Sequence, residues 1–65
     1  MNASAGLIGA HVGWRDHLDE PELRGKVLEV DTEYNYLSVA YRNSAGREMI
    51  CMAPAKIFRL IMKGV

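Results

Sequence analysis

The chain of 65 residues carries equal numbers of basic and acidic side chains, 49% apolar residues and a single cysteine. That length allows one small domain, which hides only about 60% of the surface its unfolded form exposes. The lone Cys51 excludes a disulfide within the chain, no apolar run approaches the ~20 residues of a membrane-spanning helix, and a formal net charge of zero lacks the usual mark of a non-specific nucleic-acid binder.

Residues 1–5, MNASA, are small or polar with nothing to pack, so a disordered N-terminal tail is expected ahead of a single domain over 6–65. The opening MNASAGLIGA has no positively charged start of the secretory kind, and a cytoplasmic location is expected. In LIGAHVGW at 7–14 the glycines disfavour a helix and suit a bent or closely packed strand. The charged RDHLDEPEL at 15–23 reads as a surface loop holding at most one helical turn. His11, Asp16, His17, Asp19 and Glu20 bring imidazole and carboxylate into this region without the tight, repeated spacing of a ligand set. A solvated acidic loop is expected, with no metal, no cofactor and no catalytic residue assigned.

From Gly25 onward the pattern is that of strands. KVLEVD and YLSVAYR are rich in β-branched and aromatic residues and are separated by TEYN, a connection suited to a hairpin. Alternation in the second run puts Leu37, Val39 and Tyr41 on one face and Tyr36, Ser38, Ala40 and Arg42 on the other. NSAG at 43–46 is the strongest turn signal, and REMICMA should follow as an antiparallel strand. That strand is apolar on both faces, the pattern of one buried on both sides or one whose outer face meets another subunit. Pro54 should end it and open a single helical turn in PAKIF, with RLIMK closing the domain as a last strand. The alternative is one amphipathic helix over 54–63, with Ile57, Leu60 and Ile61 on its apolar side.

This order of elements resembles the SH3-like small barrel, the group that includes SH3, Tudor and KOW domains. APAKIFRLI at 53–61 is similar to the one-turn helix that precedes the last strand in that group, and LRGKVLEVDTEYNYLSVAYR at 23–42 is similar to the KOW pattern of a glycine, an alternating strand, a turn and a second strand. The resemblance implies an all-β fold, a five-stranded barrel with a one-turn helix before its last strand. Plasmid-type dihydrofolate reductase uses a barrel of this size with a similar ending. The Gln-Ile-Tyr segment of its active pore stands here as Met49-Ile50-Cys51, so only the isoleucine matches and the reductase chemistry is not carried over.

The function expected is therefore binding and not catalysis. Cys51 sits mid-strand among methionines, where a thiolate gains no electropositive pocket. Trp14, Tyr34 and Tyr36 are the candidate contacts to a protein partner, since tryptophan and tyrosine in barrel loops anchor partners by stacking and cation–π contact. A homo-oligomer is also expected, because the apolar residues outnumber what so small a body can hide. The second reading is a regulatory nucleic-acid binder of KOW-like type, with Arg24, Lys26, Arg42 and Arg47 facing phosphate. Charge is split along the chain: residues 1–23 sum to −3 and residues 24–65 to +3, which favours assembly of unlike surfaces.

Overall fold

The computed structural model describes residues 1–64. A 3-10 turn at Ala5–Leu7 leads into β1 (His11–Trp14), and β2 (Leu23–Asp31), β3 (Tyr36–Arg42) and β4 (Glu48–Pro54) follow. A second 3-10 turn, Ala55–Ile57, precedes β5 (Arg59–Met62). The protein is all-β. Its strands form one antiparallel sheet in the order β4-β3-β2-β1-β5, and among the described residues no ladder joins β4 to β5. Among the described residues no helix is long and apolar enough to cross a membrane.

The alternation read from YLSVAYR holds: Leu37 and Val39 are buried and Tyr41 packs against the core. Leu7, Ala10, Val12, Trp14, Val27, Ala55 and Phe58 complete the buried set. Trp14 is its centrepiece, meeting Tyr41 edge-on at 5.2 Å between ring centroids and Phe58 at 5.3 Å, an arrangement aromatic rings favour over face-to-face stacking. The N-terminal segment joins this core without regular structure at 1–4. Met1 and Ala3 lie against it, and the Ala3 amide donates to Asn35 Oδ1 at 2.6 Å.

Three local features differ from the simplest reading of the sequence. The strand expected in LIGAHVGW is shorter, because Ala5–Leu7 make a 3-10 turn first; Gly9 and Ala10 then pair with Val27 on either side of it. Residues 54–63 are a turn plus a strand, and the amphipathic-helix alternative is wrong: Pro54 closes β4 and caps the turn at Ala55–Ile57, so both apolar ends of the turn, Ala55 and Phe58, reach the core. Finally, β4 is not buried on both sides. It is an edge of the sheet, with Ile50 65% and Met52 69% exposed.

β2 carries a bulge. Val27 pairs with Val39 and Glu29 with Ser38, which leaves Leu28 as the extra residue. Strict alternation from Val27 would send Val30 outward and Glu29 inward. One inserted residue shifts the phase, so Val27 and Val30 both turn to the core while Leu28, Glu29 and Asp31 face out.

Candidate functional site

The phase shift decides what stands on the outer face near the β2–β3 hairpin. Cross-strand partners share a face, so two rows run across the sheet: Glu29, Ser38 and Met52, then Asp31, Tyr36 and Pro54. The hairpin loop adds Thr32, Glu33 and Tyr34 above them. Together with Val30, all of these residues except Pro54 line an open depression of about 690 Å³. Its charged groups are Glu29, Asp31 and Glu33, and no cation lines it.

The loop is held by its own backbone chemistry. Asp31 Oδ1 accepts the amides of Glu33 and Tyr34, both at 3.0 Å, the Asx geometry that lets an aspartate start a turn. Asn35 adopts φ 60°, a left-handed conformation that asparagine tolerates better than most residues, and its side chain takes the Ala3 amide. With both ends of the turn fixed, Tyr34 projects 70% exposed and Tyr36 40% exposed beside the carboxylates. The structure thus brings Tyr34 and Tyr36 together.

Trp14 it places elsewhere. The indole is 3% exposed at the centre of the core, packed by Tyr41 and Phe58, and shares no surface with the two tyrosines. The sequence reading missed every lining residue other than the two tyrosines, among them the acids Glu29, Asp31 and Glu33 and the apolar Met52. The signal was present in the spacing of Val27 and Val30: two core-seeking valines three apart in a strand require a bulge, and the bulge turns the acids outward.

The four basic candidates do not act as one free patch. Arg24, Lys26 and Arg42 lie on the outer face of β2 and β3, while Arg47 sits past the NSAG turn, where its amide donates to Asn43 Oδ1 at 3.0 Å. Arg42 is paired across strands with Glu48, and Arg24 Nε stands 3.5 Å from the Glu22 carboxylate. Glu22 chiefly serves Arg59, which donates Nε to Oε2 at 2.5 Å and Nη2 to Oε1 at 2.7 Å. The two donors of Arg59 hold the Glu22 carboxyl below its usual range, with Arg24 adding to the effect against the cost of partial burial. Gly13 makes this bridge possible: a Cβ there would stand 2.6 Å from Glu22 Cδ.

His11 is on the outer face of β1 between Lys26 and Met62, away from the loop that holds Asp16, His17, Asp19 and Glu20. Among the described residues no three or more His, Cys, Asp or Glu side chains gather as a metal site. Burial, and then the negative charge of Asp16, push the Cys51 thiol up from its ordinary value, which keeps it protonated at neutral pH. In comparisons with known proteins, no family model, no curated protein and no solved structure matches the chain.

Proposed function

We propose that the protein is a non-catalytic interaction module that binds a protein segment through the tyrosine-lined depression at the β2–β3 hairpin, and that the bound segment presents a lysine or arginine side chain. The observation that carries this reading is the composition of the depression: Tyr34 and Tyr36 stand with Glu29, Asp31 and Glu33, and with no cation. A cationic side chain gains there from the aromatic faces and from the carboxylates at once. An SH3-like arrangement is part of the proposal. Supporting it are the antiparallel order β4-β3-β2-β1-β5, the pairing of β1 with both β2 and β5, and the 3-10 turn directly before the last strand.

The nucleic-acid reading has one observation in its favour, the shared outer face of Arg24, Lys26 and Arg42, and one against it: the Glu22 carboxylate 3.5 Å from Arg24. Selection from a displayed random peptide library tests the proposal. The wild-type protein should enrich sequences bearing Lys or Arg, and a Tyr34→Ala/Tyr36→Ala variant of unchanged fold should lose that enrichment. Enrichment that persists in the variant, or none in the wild type, refutes it.

A further inference from the structure

The free edge of β4 offers a second surface, which meets the tyrosine depression at Met52. The direction of its backbone groups follows from the ladder with β3. The Asn43 amide bonds the Arg47 carbonyl at one end and the Ala55 amide bonds the Asn35 carbonyl at the other. With the pairing of Arg42 to Glu48 through Tyr36 to Pro54, hydrogen-bonded pairs therefore recur at 41/49, 39/51 and 37/53. The amides and carbonyls of Glu48, Ile50 and Met52, and the carbonyl of Pro54, must point the other way, off the edge of the sheet.

Natural sheets protect such edges with charge, proline, bulges or short strands. β5, the opposite edge, has those defences: four residues, a bulge at Ile61, Arg59 at its start and Lys63 just past its end. β4 has a charge only at Glu48 and a proline only at Pro54, and the five residues between them are all apolar. Ile50 and Met52 project their side chains into solvent over the same stretch. A folded monomer of 7.3 kDa exposes roughly 4,200 Å². This chain exposes 4814 Å², about 600 Å² more than that, and Ile50 and Met52 are among its most exposed large apolar side chains.

We infer that β4 pairs antiparallel with β4 of a second copy about a two-fold axis at Cys51, joining two five-stranded sheets into one of ten strands. In this register Ile50 of each copy exchanges both backbone bonds with Met52 of the other, and the Glu48 amide meets the Pro54 carbonyl. Side chains match as well. Ile50 lies beside Met52 on the outer face, Met49 beside Ala53 on the inner one, and the two Glu48 carboxylates stand at opposite ends, so no like charges oppose. A second copy satisfies all of these conditions because the strand is its own complement. Pro54, lacking an amide, stops the ladder, and the closed two-fold leaves only the defended β5 edges outside, which favours a dimer over a filament.

Amide hydrogen exchange with sedimentation velocity tests the inference. The Cys51 amide, bonded to β3, should be protected at every concentration. The Ile50 and Met52 amides should become protected only as the dimer forms. Ile50→Pro removes one outward amide that the β3 ladder does not use, and Ile50→Lys charges the outer face without touching the backbone. Each should raise the dimer Kd by at least about tenfold, equivalent to about 1.4 kcal/mol, while circular dichroism stays that of the wild type. The inference is overturned by a wild type that remains monomeric at NMR concentrations, by a dimer whose Ile50 and Met52 amides exchange as fast as in dilute protein, or by a folded variant that dimerises as tightly as the wild type.

Discussion

At the residue scale, the Glu22 carboxylate takes both donors of Arg59 and folds over the bare backbone of Gly13, and its acidity is raised as a result. A carboxyl whose folded pKa lies below its unfolded one contributes stability that is complete above the ordinary value of 4.5 and is lost as pH falls through the lower, folded value. Denaturation measured across the acid range should therefore show part of the loss of stability vanish in Glu22→Gln. Gly13→Ala should do the same, since the new methyl would displace the carboxylate from its place between Arg24 and Arg59. An unchanged acid limb in both variants would mean that the bridge contributes nothing in solution. Trp14 belongs to the same scale. Trp14→Ala should cost about 3–5 kcal/mol by chemical denaturation, the range for a large aromatic removed from a core, whereas Tyr34→Ala should leave stability within about 0.5 kcal/mol. Sequence could nominate all three aromatics but could not sort them. Whether a ring is core or contact depends on what packs on it, and for Trp14 that is Tyr41 and Phe58, far away along the chain.

Among the elements, the bulged strand β2 matters most, because its phase sets the site. Leu28 and Val30 would share a face in a regular strand, and substituting either would cost alike. With Leu28 as the extra residue, Val30 packs against the core and Leu28 does not. Val30→Ser should cost about 1–2 kcal/mol and Leu28→Ser less than about 0.5 kcal/mol in the same denaturant titration. Equal costs would count against the bulge. Much at this scale was legible from local chemistry: the two hairpin turns, the three central strands, the inward face of β3, and the single turn that Pro54 introduces. Richness in β-branched residues identifies KVLEVD as a strand but says nothing of a bulge, whose signal is that the strand's valines stand three apart. The 3-10 turn at Ala5–Leu7 was not legible either, since its bonds to Ser4 and Ala5 carry no distinctive residue signal.

For the whole molecule, the ladder of strands builds a small core on one side and displays two surfaces on the other: an acidic, tyrosine-bearing depression at one hairpin and an undefended edge along β4. Sequence could indicate that apolar side chains remain uncovered, since composition and length suffice for that. It could not say which strand is the edge, because strand order is fixed by pairings between distant residues and not by any local pattern. The split of charge along the chain was legible too, but its effect was not. Folding brings Glu22 of the acidic segment onto Arg24 and Arg59 of the basic one within a single copy. Glu29, Asp31 and Glu33 are the charged groups beside the exposed tyrosines. Amide chemical-shift mapping during titration with a lysine- or arginine-bearing peptide is the most direct measurement of what this molecule is for. Shifts should concentrate on Glu29–Tyr36 and Met52 and disappear in Tyr34→Ala/Tyr36→Ala. Shifts centred instead on Arg24, Lys26 and Arg42, or no saturable shifts at all, would contradict the proposed function.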